Sequence, residues 1–229
     1  MILERSVATP DDGLVVASSP RSDAAEAYRT LATNIQFSSL DRPVRTLLVT
    51  GATPDEDKTT VLANLAITLA ATGRRVVVVD CDLRRPRLHA VFGVAEAPGL
   101  TSMILDETLR PPLQETSFPN VWVVTSGPLP PNPAELLGSE RMGRAIAQIG
   151  ADADYILFDA PPVTVVADAA MLAARLDGVL LVVASGRTRR ETARRAKEQL
   201  DRVGARVLGT ALSNVKPERT KSEYGATGP

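Results

Sequence analysis

The segment Gly51-Ala52-Thr53-Pro54-Asp55-Glu56-Asp57-Lys58-Thr59-Thr60 follows an apolar run at 46–50 and leads into the helically patterned Val61-Leu62-Ala63-Asn64-Leu65-Ala66. A turn that joins a strand to a helix and ends in Lys-Thr can hold phosphates. Backbone N–H groups wrap the oxygens, and the helix N-terminus adds its dipole. In such a Walker A loop the lysine, here Lys58, reaches the outer phosphates. The next hydroxyl, Thr59, binds Mg²⁺, and Thr60 can reach the α-phosphate. Thr53, Asp55, Glu56 and Asp57 supply the rest of the cradle. Two further apolar runs end in carboxylates. Val76-Val77-Val78-Val79-Asp80-Cys81-Asp82 places Asp80 and Asp82 at a strand tip, pointing the same way. Tyr155-Ile156-Leu157-Phe158-Asp159 has the Walker B form, an apolar strand and then an aspartate. Carboxylates at such tips can orient a hydroxyl or hold Mg²⁺, which takes oxygen ligands and keeps several waters. One strand-end aspartate is weak evidence, whereas three such loops on one sheet edge are strong evidence together.

The loop departs from the strict Gly-x-x-x-x-Gly-Lys-Thr expression. Asp57 stands before the lysine where glycine is expected, and Asp55 replaces a second glycine. Aspartate enters left-handed backbone conformations more readily than most residues, so the loop shape is compatible with it. The charge opposes the function: a carboxylate about 5 Å from a phosphate repels it by ~1–4 kcal/mol. The competing reading of this segment is a βα loop whose acidic residues complement the helix dipole. For Asp80 and Asp82 the competing reading is a pair of helix caps before Pro86.

The elements that must position these residues alternate regularly. Apolar runs at 46–50, 76–80, 121–125, 155–159, 179–183 and 207–212 are near-continuous in Val, Ile and Leu, as in parallel strands covered on both faces. Helical patterning falls between them at about 58–72, 134–149, 166–175 and 188–203. The pattern predicts an α/β fold, a doubly wound, mostly parallel sheet with helices on both faces and its ligand beyond the carboxyl ends of the strands. A helix is also predicted over 23–37, with Ser22 or Asp23 as cap and Glu26 placed to complete a capping box. Residues 1–20 read as an N-terminal arm with a short strand at 14–17, residues 21–215 as the phosphate-binding domain, and 216–229 as a flexible polar tail.

Composition narrows the function classes. The 229 residues suffice for one such domain with a substantial core. A net charge of −1 provides no field to draw nucleic acid, and 3% aromatic residues are too few for a base-stacking platform. A single cysteine excludes an intrachain disulfide and suits a reducing cytoplasm, and a single histidine argues against a His-rich metal site. No run approaches the ~18 apolar residues of a membrane span, so work at a membrane requires recruitment by a partner. Cys81, between two aspartates, reads as a packing residue, because their charge raises a thiol's pKa. His89 and Trp122 also read as structural. The mixed charges of 188–203 read as a solvated face, with a DNA, anionic-lipid or partner contact as alternatives.

At this point the residues resemble a known family, the bacterial tyrosine kinases of capsule and exopolysaccharide systems. The resemblance covers about residues 14–215. It rests on Asp80-Cys81-Asp82-Leu83-Arg84-Arg85-Pro86, Asp159-Ala160-Pro161-Pro162-Val163, the run from Ser126-Gly127-Pro128 to Leu136-Leu137, and Glu26-Ala27-Tyr28-Arg29-Thr30-Leu31 with Asn34-Ile35. It implies an ATP-dependent protein tyrosine (auto)kinase that regulates polysaccharide chain length and export. Mg·ATP would be bound at Lys58, Thr59, Asp80 and Asp159, with Thr59, Asp80 and Asp159 serving the metal. Asp82 would orient or deprotonate a tyrosine hydroxyl, and Asn214 would read adenine. It further implies a membrane-embedded polysaccharide co-polymerase as activator, and a homo-oligomer contacted through Glu26 and Arg29, where Ala32 replaces the second arginine of the family's helix motif. Tyr224 is the one tyrosine in the tail that could accept phosphate. Two other readings stay open: a scaffold subunit of the same system with a weakened nucleotide site, and a partitioning- or positioning-type ATPase.

Overall fold

The computed structural model describes residues 13–38, 42–106 and 110–215. Among the described residues seven strands form one sheet: β1 (Thr46–Gly51), β2 (Val76–Asp80), β3 (Gln114–Glu115), β4 (Val121–Val124), β5 (Tyr155–Asp159), β6 (Gly178–Ala184) and β7 (Val207–Ser213). Their spatial order is β3-β4-β2-β5-β1-β6-β7, and all pairings are parallel except the short edge strand β3 against β4. The six long strands match the apolar runs to within a residue at most ends. The edge strand β3 has no apolar run and is not legible in the sequence.

The central strands β1, β2, β5 and β6 are buried on both faces, so each contributes to two cores. Leu47, Val49, Val76, Val78, Leu157 and Val182 pack on one side, and Leu48, Val77, Val79, Phe158, Leu181 and Val183 on the other. This alternation is the period-two geometry of a strand with helices above and below. The first core is covered by α3 (Lys58–Ala70), which is buried at nearly every position. The second is covered by Met142, Ala145 and Ile149 of α7 (Glu140–Ile149), by α8 (Asp168–Ala173), and by Ala196 and Leu200 of α9 (Arg190–Arg202).

Four local expectations change. The segment around 14–17 is a helical turn, α1 (Val15–Ser18), not a strand. Its backbone closes on Leu14, and Asn64 of α3 clamps it, accepting from the Val16 amide at 3.1 Å and donating to the Gly13 carbonyl at 3.0 Å. In α2 (Asp23–Gln36) the cap is Ser22, which accepts from the Ala25 amide, while Glu26 pairs with Arg29 instead of completing a box. The single helix expected over 134–149 is two, α6 (Pro133–Gly138) and α7. Ser139 interrupts it in an extended conformation and caps α7 through the Met142 amide. Two short helices, α4 (Leu88–Phe92) and α5 (Leu100–Leu105), fill the β2–β3 crossover, of which only the first has a counterpart in the sequence reading. Among the described residues no helix is long and apolar enough to cross a membrane.

Candidate phosphate-binding site

The strand order assembles the site. β5 lies between β1 and β2, with Asp159 in register with Val49 on one side and Asp80 on the other. The loop after β1, the Asp-x-Asp after β2 and the aspartate ending β5 therefore converge at one sheet edge. Lys58, the first residue of α3, is buried there. Its Nζ lies 2.9 Å from Asp82 Oδ2 and 3.1 Å from Asp159 Oδ1. Thr59 Oγ1 donates to the other oxygen of Asp159 at 2.7 Å. The lysine, the following hydroxyl and two of the three acidic tips thus form one hydrogen-bonded cluster.

Asp80 plays a different part. Its carboxylate is buried and accepts backbone amides, from Asp82 at 3.2 Å and from Arg87 and Leu88 at 3.1 and 3.0 Å. It organises the turn that carries Asp82. Asp82 in turn accepts the Arg85 amide at 3.0 Å. Arg84 leaves this turn to form a two-pronged pair with the fully buried Asp168 of α8, at 2.9 and 3.1 Å. Sequence reasoning placed Arg84 in the Asp80–Pro86 motif without a partner and did not single out Asp168. The partners are 84 positions apart, and no local pattern announces the pair.

Electrostatics follow from burial. Asp80 is pushed up to about 7, chiefly by desolvation and next by the Asp159 charge, against the Leu88 amide. Asp159 is raised, again first by burial, with Lys58 and Thr59 pulling the other way. Burial alone would lower Lys58, but Asp159 and Asp82 outweigh it and its pKa is raised, so it stays charged. Cys81 is fully buried and its thiol is pushed well up by burial and then by its acidic neighbours, in keeping with a packing role. The raised acids fix the sign of a pH effect. The folded chain holds these protons more tightly than an unfolded chain, whose aspartates titrate near ~3.9, so stability falls as pH rises from about 4 through about 7. The thermal midpoint of the nucleotide-free chain is expected to be several degrees lower at pH 7.5 than at pH 5.5 by scanning calorimetry. A midpoint that climbs across that window counts against a protonated Asp80.

The loop keeps its shape without the expected glycine. Asp57 adopts φ 52°, ψ 29°, left-handed backbone that aspartate tolerates, and caps α3 without using its side chain. The carboxylate is exposed, at the rim of a groove of about 770 Å³. Tyr28, Thr60, Arg87, Leu212 and Asn214 also line that groove. Asn214 follows β7 at φ 55°. Tyr28 is pushed up to about 12, by burial and then by the Asp57 charge. Glu56 turns inward: it is buried and accepts the amides of Ala52 and Thr53. A Cβ at Gly51 would lie 2.6 Å from this carboxylate and 3.0 Å from the Thr53 carbonyl oxygen, so a larger residue at the strand end would displace Glu56.

The remaining sequence-predicted residues fall elsewhere or outside. Asp55 is exposed on the loop, and Thr53 is half-buried and bonded to Glu56. Glu26 and Arg29 form an exposed one-turn pair at 2.7 Å, with Arg29 also reaching the Pro20 carbonyl. Gly127, in the run at 126–137, packs against α5: a Cβ at Gly127 would lie 2.6 Å from Thr101 of α5, and a Cβ at Gly99 2.3 Å from the Gly127 amide. Tyr224 and the tail lie outside the described residues.

The donor set suits a magnesium-bound phosphate tail. Among the described residues no group of three histidine, cysteine or acidic side chains forms a cation cage. Thr59 with Asp159 instead offers the sparse oxygen set that Mg²⁺ shares with waters and substrate phosphates.

Comparison with known proteins agrees with this geometry. The family model described as "ParA: NUBPL iron-transfer P-loop NTPase" matches residues 56–222. The tyrosine-protein kinase YwqD of Bacillus subtilis (strain 168) is 41% identical over 216 residues, 94% of this chain and 91% of that protein. The kinase domain of Escherichia coli tyrosine kinase ETK superposes with a TM-score of 0.85 at 32% identity, covering 99% of this chain and 89% of the other. The chimerical protein CapA2B2 gives 0.86 at 30% identity, covering 91% and 92%.

Proposed function

Because the chain belongs to the bacterial tyrosine-protein kinases, on a ParA-type P-loop NTPase fold, we propose that it transfers the γ-phosphoryl group of Mg·ATP to tyrosine hydroxyls. The observation that carries this reading is the single cluster of Lys58, Thr59, Asp82 and Asp159 at the phosphate loop.

The residues divide the work. The opening amides of α3 have no carbonyl one turn earlier to bond, so they and Lys58 hold the phosphate tail. Thr59 and Asp159 would hold Mg²⁺, which when bound offsets the phosphate charge. Asp80 shapes the turn and so places Asp82. The groove between α2 and β7 has room for the base and ribose, with Asn214 at its end. The tyrosine oxygen forms the new bond to the γ-phosphorus while the bond to the bridging oxygen breaks, and ADP leaves. The phenolic proton passes to Asp82. Such transfer rests on positioning and charge neutralisation more than on covalent chemistry by the protein.

We place the chain in control of exopolysaccharide or capsule chain length. In this reading a membrane-embedded co-polymerase activates it at the inner face of the membrane, copies associate through Glu26 and Arg29, and Tyr224 accepts phosphate. The scaffold reading draws on Asp57, whose charge lies at the groove. That the side chain is exposed and the loop intact favours catalysis.

The test is incubation of the purified chain with Mg·ATP, with and without the cytoplasmic segment of a candidate activator, followed by phosphotyrosine detection and site mapping. Phosphorylated Tyr224 is the expected product. No ATP binding at millimolar concentration favours the scaffold, and salt-sensitive retention on DNA favours a partitioning ATPase.

A further inference from the structure

We infer that Thr188 is a positioning residue for the phosphate loop, acting through Glu56; the inference rests on the nucleotide-binding reading above. Thr188 lies between β6 and α9, far from Lys58 in sequence, in a segment the sequence reading assigned to a solvated helix. Its hydroxyl is bonded in both senses. It accepts the Ala184 amide at 3.0 Å, at the end of β6, and donates to Glu56 Oε1. The other oxygen of Glu56 accepts the amides of Ala52 and Thr53, where the phosphate loop leaves β1. Thr188 thus ties the loop to the neighbouring strand, and β1 and β6 are paired through Gly51 and Val182.

The arrangement solves a problem specific to this loop. A loop that lacks glycines at 55 and 57 has two side chains to place, and a third carboxylate at 56 could turn toward the phosphates. The buried Glu56 carboxylate is instead fully engaged at the base of the loop. This leaves the amides that open α3 to face the ligand. A carboxylate deprived of one donor in a buried setting is destabilised there and tends to leave for water. If it turned out, the loop would lose its brace and carry another negative charge near the phosphates. The fraction of molecules with a competent loop falls, and the apparent affinity falls by the same factor.

The Thr188 hydroxyl both accepts from Ala184 and donates to Glu56, which gives a clean pair of variants. Thr188→Val keeps the shape and removes both bonds; Thr188→Ser keeps both bonds. Titration calorimetry with Mg·ADP is expected to show binding weakened about tenfold in T188V and within about twofold of the unaltered chain in T188S. In turnover the apparent KM for ATP rises in T188V, while kcat changes less than about threefold, because Lys58, Asp82 and Asp159 are untouched. Hydrogen exchange without nucleotide gives an independent readout, with the Ala52 and Thr53 amides exchanging faster in T188V and protected in T188S. Equal Mg·ADP affinity in T188V and the unaltered chain overturns the inference, as does T188S failing as badly as T188V. Absence of binding by the unaltered chain overturns the nucleotide reading itself, a separate outcome.

Discussion

Lys58→Met is expected to abolish tyrosine phosphorylation, lowering the rate on the order of 10³-fold or more at saturating Mg·ATP. The ammonium is buried, charged and placed 2.9 Å and 3.1 Å from the carboxylates of Asp82 and Asp159. Methionine matches its stem but offers no donor and no charge. The loss acts twice. A phosphate tail entering the site meets two acidic tips with no cation between them, and charge developing in transfer has no partner. The fold should survive, because aspartates whose counterion is removed can take up protons instead of staying charged in a dry site. Far-UV circular dichroism should therefore match the unaltered chain while phosphotyrosine signal is absent. Residual activity above about a tenth would mean that Lys58 is a structural counterion only.

Asp82→Asn is expected to separate binding from chemistry. Asparagine is nearly isosteric, and its oxygen can still accept the Arg85 amide that Asp82 accepts at 3.0 Å. Lys58 retains Asp159 as a partner. The phosphate cradle is thus preserved, and the apparent KM for ATP should stay within a few fold. What is lost is the group that takes the tyrosine proton, for which a fall in kcat of about 10²–10⁴ is the ordinary range. Steady-state kinetics on a tyrosine peptide, with calorimetric binding of Mg·ADP alongside, reads both quantities. If kcat holds and only binding changes, the proton acceptor lies elsewhere and Asp82 serves as a partner for Lys58.

Much of this site is legible in the chain because its parts are local. Strand tips ending in Asp80 and Asp159, and a Lys-Thr pair opening a helix, are visible within a few residues each, and parallel strands announce themselves by unbroken apolar runs. What escapes is whatever depends on partners distant in sequence. Asp80 reads as a metal ligand, and nothing local shows that its carboxylate also holds the amides of Arg87 and Leu88. Glu56 reads as one more acid in a loop until Thr188 meets it. Arg84 is visible in its motif, but nothing local points to Asp168 as its partner. The break at Ser139 was missed for a related reason: helical periodicity runs through it, and only the cap on Met142 shows that the chain restarts there. The arm before α2 turns helical because Asn64 claims its backbone, a contact no propensity records.

The insertion of β5 between β1 and β2 bears on how the chain is made. The first two long strands are not paired with each other; β5, which joins them, is encoded about eighty residues downstream of β2, whose other edge pairs with the earlier β4. A nascent chain that has emerged only as far as α7 can pair β2 with β4 but holds the facing edges of β1 and β2 open. Parallel pairings across such separations form slowly and leave sticky surface exposed meanwhile. The centre of the sheet can therefore close only when residues 155–159 arrive, bringing Asp159 to the lysine.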